Sequence, residues 1–427
     1  MFSTIPAVIA DALSQPWADG TPREVRLTSL VGKVDAVIGS RRVGKSWLLQ
    51  QHARALCVGG VEPGRVLYLN FEDERLDGLP AAQLGDVVDE WARRVPALLD
   101  EERWLLLDEI QVVPGWERFV RRLVDDRQTR IVVTGSSARM LSREIATSLR
   151  GRALTHELLP FSFAEALTHA GVAIPEVWPP DARQRAVLRA ALDRYLQAGG
   201  YPEVQGVDGE LRRRILRDYA DVALLRDVIE RHGVSNVAGL RALHRRLLAA
   251  PGTLFSVHRF ANDLHSQGLA VGKESLHAWI DHFADACFAH FVPIYTESEA
   301  VRRSNPRKFY PIDQAYVPAS LGGPAFETMV FLSLHRRGLD LSWLRNEDGT
   351  EVDFVTVDSA GNRGLVQACV GMAAPQTRER ELSALARGME ALGLQEGTVV
   401  TMDDKEEVTI AGGRIRVVPA WEWLLTG

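Results

Sequence analysis

The amino-acid sequence predicts an α/β protein with a parallel sheet first, helices in the middle and a second α/β region at the end. In the first 160 residues, short apolar runs alternate with polar, helix-prone segments, which is typical of a parallel sheet covered by helices on both faces. Residues 160–300 carry apolar side chains three and four positions apart, as amphipathic helices do. Strand-like runs return after residue 309, with one helix between the last two.

The composition excludes several classes of protein. The chain has 427 residues with a formal charge of −6, a length that suggests about two to four domains. Its three cysteines, Cys57, Cys287 and Cys369, lie far apart and predict neither a disulfide framework nor a zinc cluster. The sequence has no apolar run of membrane-spanning length and no basic start of a secretory signal. We therefore expect a cytoplasmic protein with no membrane partner.

Lysine is scarce in this chain. Only five of the 50 basic residues are lysines: Lys33, Lys45, Lys273, Lys308 and Lys405. A lysine inside a chemical motif is therefore more informative than an arginine would be.

The first elements follow from apolar periodicity. A short amphipathic helix is predicted near the N-terminus, with Ile5, Ile9, Ala12 and Leu13 on one face. The first sheet is predicted from apolar runs at residues 34–38, 65–71, 104–107 and 131–134.

Residues 39–46 match the phosphate-binding pattern G-x-x-x-x-G-K-[ST], the Walker A motif, between a predicted strand and a predicted helix. Backbone N–H groups of such a loop surround phosphates, Lys45 reaches the β- and γ-phosphates, and Ser46 ligates Mg²⁺. The alternative is a glycine-rich turn with no ligand. The predicted ATP-binding residues are Gly39, Ser40, Arg41, Arg42, Val43, Gly44, Lys45, Ser46 and Trp47.

The run Trp104-Leu-Leu-Leu-Asp108-Glu109 is typical of a Walker B strand. It delivers Asp108 to the carboxyl end of the sheet, where it can hold Mg²⁺ together with Ser46, and Glu109 can act as general base. The alternative is an ordinary strand end capped by two acids. Lying downstream of a phosphate-binding loop, the pair predicts ATP hydrolysis.

Two further catalytic residues are expected. Ser136 follows the next strand and could orient the attacking water or sense the γ-phosphate, although it could also be only a turn residue. Arg152 precedes the following strand and could reach the γ-phosphate of a neighbouring subunit as an arginine finger. The alternative for Arg152 is a surface arginine.

The chain resembles a known family over nearly its whole length. The segments that carry the resemblance are IGSRRVGKSWLL, LLLDEIQ, IVVTGSS, LRGRALTHELLPFSFAEAL, YLQAGGYPEV, YADVALLRDVIERHG and EVDFV. It is similar to prokaryotic AAA+ ATP-binding proteins of the archaeal-ATPase type, in which a C-terminal domain of unknown function follows the ATPase domain. The resemblance implies strand order 5-1-4-3-2 and supports Ser136 as sensor and Arg152 as finger.

The middle of the chain predicts helices. A long amphipathic run spans residues 211–231, followed by helices at 237–249, 256–266 and 273–286 and then by a hairpin with a basic loop, which together suggest a winged helix-turn-helix. The residues of the long run expected to face the core are Leu211, Ile215, Tyr219, Val222, Leu225 and Ile229.

DNA is the predicted partner of this winged helix. The positions expected to be exposed on its third helix, 275, 277, 278, 281, 282 and 285, include no Arg or Asn to read a base edge, so contacts to phosphates are expected. The alternative is a winged helix used only for packing. The predicted phosphate contacts are Arg241, Arg245, Arg246, Arg259, Arg302, Arg303, Arg307 and Lys308.

The C-terminal region resembles the PD-(D/E)XK nuclease arrangement but lacks part of its chemistry. Glu327 and Asp353 could supply two carboxylates for a metal ion, whereas Gln367 and Cys369 stand where that arrangement has an acid and a lysine. We therefore expect an inactive nuclease-like fold in which Glu327 and Asp353 could at most bind a metal weakly.

These features divide the chain into four predicted segments. They are an AAA+ P-loop domain at 1–170, a helical lid or connector at 171–235, a winged helix at 236–308 and a restriction-endonuclease-like α/β domain at 309–427.

The combined prediction is a cytoplasmic, Mg²⁺-dependent AAA+ ATPase that recognises the structure rather than the sequence of DNA. An arginine finger that acts in trans requires a neighbour, so we expect a homo-oligomer, with a hexameric ring as one arrangement. Two alternatives stay open: an ATP-gated, oligomerising switch in signalling or defence, and an ATP-dependent nuclease.

Overall fold

The computed structural model of the chain describes residues 4–96, 101–136, 151–318 and 320–426, with the side chains of 303 and 304 left out. The chain divides into two compact units, residues 1–159 with 285–287 and residues 160–284 with 288–427. Among the helices of the described ranges, none is long and apolar enough to cross a membrane.

The first unit is built on a five-stranded parallel sheet. Its strands are β1 (Val34–Ile38), β2 (Val66–Asn70), β3 (Arg103–Asp108), β4 (Thr129–Gly135) and β5 (Ala153–Glu157). Their spatial order is β2-β3-β4-β1-β5, which confirms the order 5-1-4-3-2 that the family resemblance implies. The central strands are buried along their whole length, as expected for strands covered on both faces.

Helices cover this sheet. They are α1 (Ile5–Ser14), α2 (Lys45–Val58), α3 (Leu84–Arg94) and α4 (Trp116–Asp125). The predicted amphipathic face of α1 is confirmed, because Ile5, Val8 and Ile9 are buried and Ala12 and Leu13 pack against the same apolar cluster.

The second unit begins with three helices, α5 (Phe163–His169), α6 (Ala182–Ala198) and α7 (Gly209–Val222), the last continuing as a π-helical stretch over Ala223–Glu230. The core face predicted for this run is wrong at three of its six positions, while Ile215, Tyr219 and Ile229 are partly buried. Leu211, Val222 and Leu225 are exposed, and the buried residues are instead Leu216, Ala220, Ala223, Leu224, Asp227 and Val228. Apolar side chains lie on two adjacent stripes of this helix, and packing selects the stripe one residue away from the predicted one.

A helical segment with a small sheet comes next. It contains α8 (Val237–Ala249), β6 (Leu254–Phe255), α9 (Val257–Ser266), α10 (Lys273–Asp285), β7 (Ala289–Val292), α11 (Glu299–Ser304) and β8 (Arg307–Pro311). The three strands form an antiparallel sheet in the order β6-β8-β7.

Two predictions in this segment are wrong. Residues 302–308 are not a loop, since they contain the end of α11 and the start of β8, and β8 runs through residue 308. Asp285, expected to be exposed on the third helix, is 4% exposed.

The C-terminal region carries a six-stranded mixed sheet. Its strands are β9 (Asp340–Arg345), β10 (Glu351–Val357), β11 (Arg363–Ala368), β12 (Glu396–Thr401), β13 (Glu406–Ile410) and β14 (Gly413–Pro419), in the order β13-β14-β12-β11-β10-β9. The accompanying helices are α12 (Gly322–Arg336), α13 (Pro375–Leu392) and α14 (Ala420–Thr426). Apolar clusters form between α12 and this sheet and between α13 and this sheet.

Candidate functional site

The loop between β1 and α2 has the backbone that a phosphate-binding loop requires. Gly44, which precedes the first residue of α2, has φ of 98°, a conformation that glycine adopts without a steric cost. At Gly39 a Cβ atom would collide with the carbonyl oxygen of Leu158. Both glycine positions of the motif pattern therefore need glycine for a physical reason.

Lys45 lies inside this loop rather than in solvent. Its Nζ donates to the carbonyl oxygens of Gly39, at 3.1 Å, and Ser40, at 3.2 Å, and lies 3.3 Å from Oε1 of Glu109. The side chain is only 5% exposed. The ammonium thus has two neutral partners and one charged partner, all within the loop and the end of β3.

Asp108 and Glu109 lie at the carboxyl end of β3, next to the loop. Asp108 is fully buried and accepts a hydrogen bond from the hydroxyl of Thr134 on β4. The backbone N–H of Glu109 donates to the same hydroxyl oxygen at 2.9 Å. Thr134 therefore orients both acids, a role that the sequence analysis missed.

The charge of Glu109 is stabilised despite its burial. Burial alone would raise its pKa, but the ammonium of Lys45 and a hydrogen bond from the Gln111 amide, at 2.5 Å, outweigh this effect and lower the pKa. Glu109 is accordingly an ionised carboxylate at neutral pH, able to accept a hydrogen bond from water.

Tyr68 on β2 is a second residue that the sequence analysis missed. Its hydroxyl donates to Oδ2 of Asp108 at 2.7 Å. The same hydroxyl also forms hydrogen bonds with the side chains of Ser46 and Gln50. Burial and the charge of Asp108 raise the pKa of Tyr68, so the phenol stays protonated. A hydroxylated ring in an otherwise apolar strand was the signal available in the sequence.

Arg23 fastens the loop from outside the motif. Its guanidinium donates to the carbonyl oxygens of Val43, at 2.7 Å, and Leu159, at 2.5 Å, and the residue is 7% exposed. A buried arginine that binds two backbone carbonyls fixes their positions, so Arg23 holds the shape of the loop.

The remaining residues of the predicted loop differ in exposure. Ser40 and Val43 are buried, while Arg41 lies 3.5 Å from Glu72 near the surface. Arg42 has φ of 67°, a strained value for a residue with a side chain. Trp47 is half exposed on the first turn of α2.

Ser136 and Arg152 are placed very differently. Ser136 is fully buried directly after β4, at the same edge of the sheet as the phosphate-binding loop. Arg152 precedes β5, at the opposite edge, where its guanidinium forms an ion pair with Asp125 and its carbonyl oxygen accepts from the N–H of Val34. The structure therefore does not bring Arg152 to the loop of its own chain.

Most of the predicted phosphate contacts lie at the surface. Arg241, Arg245 and Arg246 on α8, Arg259 on α9 and Arg307 on β8 are exposed. Arg302 is partly exposed and lies 3.8 Å from Glu299, and the side chain of Arg303 lies outside the described part of the chain.

Lys308 contradicts the prediction that it contacts phosphates. It is 4% exposed, because β8 is buried from residue 308 to residue 311 and only Arg307, at the start of the strand, is exposed. Its Nζ lies 2.9 Å from Oδ1 of Asp353 and 3.4 Å from Oε1 of Glu327. Cys369 stands where the nuclease arrangement has a lysine. Lys308, which lies outside that arrangement in the sequence, supplies an ammonium to the two carboxylates instead.

These contacts change the acid–base properties of the cluster. Burial would lower the pKa of Lys308, but Asp353 and Glu327 raise it above the usual range. Burial and the charge of Asp353 raise the pKa of Glu327 to about 7. The carboxylate pair and the lysine therefore interact more strongly with one another than with solvent.

Comparisons with known families identify two regions of the chain. A profile described as "AAA domain" matches residues 32–167, which contain the loop, β3 and β4. A profile described as "Domain of unknown function (DUF8612)" matches residues 189–326.

Solved structures show lower similarity. The Aeropyrum pernix Orc1 protein in complex with DNA is 15% identical, with a TM-score of 0.29, over 76% of this chain and 90% of that one. DnaA from Aquifex aeolicus bound to AMPPCP is 14% identical, with a TM-score of 0.25, over 65% of this chain and 86% of that one.

Curated relatives match at higher sequence identity. An uncharacterized protein of Haemophilus influenzae is 29% identical over 75% of this chain and 79% of its own length. The uncharacterized protein MJ1544 of Methanocaldococcus jannaschii is 30% identical over 426 residues, which span 95% of this chain and 91% of that protein. The chain therefore belongs to the family of MJ1544 and carries an AAA domain of the AAA+ ATP-binding class at residues 32–167.

Proposed function

We propose that this protein binds and hydrolyses ATP at the loop between β1 and α2. The observation that carries the proposal is the meeting of Lys45 with Glu109 at 3.3 Å, with Asp108 beside them. A cationic loop next to an ionised base is the arrangement that phosphoryl transfer to water requires.

The donor set also fits Mg²⁺. A hydroxyl from Ser46 and a carboxylate from Asp108 are hard oxygen ligands, and Tyr68 hydrogen-bonds both residues. A bound Mg²⁺ would neutralise phosphate charge. Thr134 and Tyr68 orient Asp108, and Glu109 accepts a proton from the attacking water, with Lys45 released from Glu109 to the phosphate oxygens.

ATP turnover by a Glu109→Gln variant tests this proposal. We expect turnover to fall by about 10²- to 10⁴-fold while ATP affinity is retained, because the amide keeps the shape but cannot take the proton. Glu74→Gln, an exposed residue of the same unit, serves as the matched control. Unchanged turnover in Glu109→Gln would show that hydrolysis does not use this residue.

We further propose that the arginines of α8 and α9 contact nucleic-acid phosphates and that the segment from α8 to β8 acts as a winged helix. Its order of helices and strands supports this, as does the exposure of Arg241, Arg245 and Arg259. A cavity of about 470 Å³ between α10 and β8 is lined in part by Lys273, His277 and Arg307. Arginine and lysine without base-reading side chains favour backbone contacts over sequence recognition.

Salt-dependent binding of duplex and branched DNA tests the second proposal. Arg241→Ala with Arg245→Ala should weaken binding and reduce the slope of log K against log salt by about 1.8. Arg183→Ala with Arg194→Ala, exposed arginines of α6, is the matched control. Equal binding by both double variants would remove the arginines of α8 from the proposed DNA contact without affecting the ATPase part.

We also propose that the protein works as a homo-oligomer in which Arg152 reaches the nucleotide of a neighbour and Ser136 senses the γ-phosphate of its own chain. The position of Arg152 at the sheet edge opposite its own loop supports a role in trans. In this proposal residues 1–170 form the ATPase domain, 171–235 the lid, 236–308 the winged helix and 309–427 a nuclease-like domain. Arg152→Ala should lower turnover most at protein concentrations where oligomers form.

A second candidate function is an ATP-gated switch. The observation that favours it is the lowered pKa of Glu109, which makes this carboxylate a weak base while Lys45 stays paired with it. If the protein is a switch, ATP binding should change the oligomeric state of Glu109→Gln as it changes that of the wild type. If the protein needs turnover to act, ATP binding should not produce this change in Glu109→Gln.

A further inference from the structure

The cluster formed by Lys308, Glu327 and Asp353 belongs to the second unit and is built from three elements. Lys308 comes from β8, Glu327 from α12 and Asp353 from β10. The Nζ of Lys308 lies between the two carboxylates, 2.9 Å from Asp353 and 3.4 Å from Glu327. The resemblance to the nuclease arrangement implies a divalent metal ion at these same two acids.

Most of the carboxylate oxygens of this cluster already accept hydrogen bonds from the protein. The Tyr310 hydroxyl donates to Oε1 of Glu327 at 2.6 Å, and the backbone N–H of Ala368 donates to Oδ2 of Asp353 at 3.1 Å. Gly252 packs so closely on the other side that a Cβ there would lie 2.9 Å from Oε2 of Glu327. Three of the four carboxylate oxygens therefore accept a hydrogen bond from the protein, and Oε2 of Glu327 lies against Gly252.

Gln367, which stands where the nuclease arrangement has a further acid, does not provide a metal ligand either. The amide oxygen of Gln367 accepts from the N–H of Asp353 at 3.1 Å, and its Nε2 donates to Oε2 of Glu381 at 2.7 Å. Glu381 is in turn ion-paired with Arg380 at 2.5 Å. Mg²⁺ requires near-octahedral oxygen ligands at about 2.0–2.1 Å, so this donor set does not fit the ion that the fold resemblance implies.

We propose that Lys308 is the built-in cation of this cluster, that it excludes divalent metal ions from Glu327 and Asp353, and that it fastens β8 to the C-terminal sheet. In a chain that uses arginine for 45 of its 50 basic residues, a lysine is retained here. An ammonium is a compact point charge that fits between two carboxylates, whereas a planar guanidinium needs a wider site. The cluster is therefore a closed ion pair rather than a degraded metal site.

Mn²⁺ binding to the nucleotide-free, full-length protein, followed by electron paramagnetic resonance, tests this proposal independently of ATP hydrolysis. Lys308→Met removes the charge and keeps an unbranched side chain that is one heavy atom shorter. We expect this variant to bind one more Mn²⁺ than the wild type, and Lys308→Met with Asp353→Asn to lose that extra site. Lys405→Met, which removes an exposed lysine paired with Glu422, should bind as the wild type does.

Two results would overturn the proposal. One is a folded Lys308→Met variant that gains no Mn²⁺. The other is a wild-type Mn²⁺ site that disappears in Asp353→Asn, and this measurement does not require Lys308→Met to fold. In EDTA we also expect Tm of Lys308→Met to fall by about 5–10 °C, with partial recovery on addition of Mn²⁺.

Discussion

Lys45 and Lys308 are the two buried lysines of the chain, all five of whose lysines lie in the described ranges, and their surroundings differ in one respect. Lys45 binds two neutral carbonyl oxygens and a single carboxylate, that of Glu109. Lys308 binds two carboxylates. One ammonium can exchange its partners for phosphate oxygens, whereas the other is already neutralised.

The difference shows that burial and charge alone do not define a ligand site. What matters is the number of opposite charges that the fold already supplies to the buried group. Two backbone carbonyls and a single carboxylate hold Lys45, so its charge becomes available to an incoming anion once Glu109 releases it. Two carboxylates, from α12 and β10, compensate the charge of Lys308. This lysine therefore makes a structural contact and does not form a ligand site.

Replacing Lys308 and Lys45 by methionine should affect different properties, stability in the first case and ATP affinity in the second. These are the largest effects that we expect. Lys308→Met should lower the free energy of unfolding by about 3–5 kcal/mol, because it leaves two buried carboxylates unpaired, and should leave ATP affinity unchanged. Lys45→Met should weaken ATP binding by about 10- to 150-fold, the value of one charge-assisted hydrogen bond. Denaturant titration and nucleotide binding measure the two effects.

Lys405→Met is the control for both variants, since its exposed ion pair should contribute less than about 1 kcal/mol. The comparison fails if Lys308→Met weakens ATP binding as much as Lys45→Met does, because the two lysines would then act on one site.

His244 on α8 extends the comparison to a buried ionisable group without a strong opposite charge, which stays neutral at neutral pH. Burial lowers its pKa to about 4, although Asp221 opposes this, and the ring packs on Phe283 and Phe288. The unfolded chain therefore takes up a proton at a higher pH than the folded one. Stability should fall as the pH drops from about 6.5 to 4, by roughly 3 kcal/mol at most.

Unfolding of a His244→Leu variant across this pH range checks the assignment. The variant should lose this part of the acid sensitivity, whereas His265→Leu, at an exposed position of α9, should retain it. If His244→Leu and the wild type lose stability in parallel, another group is responsible.

Tyr68→Phe should have the smallest effect, because it removes one hydrogen bond from Asp108 and leaves the one from Thr134. We expect turnover to fall by about tenfold or less, with folding stability nearly unchanged. Tyr219→Phe, which removes a hydroxyl paired with Glu203 in the second unit, is the control for turnover. A loss as large as that expected for Glu109→Gln would give Tyr68 a direct role in hydrolysis.

The local patterns were sufficient for the nucleotide site. The loop from Gly39 to Ser46, the strand ending at Asp108 and the order of the sheet depend on short-range sequence and on the family resemblance, and the structure has them where they were expected. Thr134, Tyr68 and Arg23 were missed because each acts through a partner at least 20 positions away.

Lys308 shows why the rest could not be predicted. It stands in a run with Arg302, Arg303 and Arg307, and charge alone assigns all four to the surface. Only strand pairing decides that position 308 faces inward, and its partners lie 19 and 45 positions further along the chain. The predicted core face of residues 211–231 is wrong at three of its six positions for the same reason, because packing selects between two apolar stripes that the sequence leaves equivalent.

The ion pair at Lys308 also makes this residue a chemical probe. An amine reacts with acylating reagents only in its uncharged form, and the pKa of Lys308 is raised while its side chain is 5% exposed. Reagents that acylate lysine at neutral pH should therefore modify the exposed Lys273 and Lys405 first. Acylation at position 308 would report separation of β8 from the C-terminal sheet, which makes lysine footprinting a direct measure of local opening in this region.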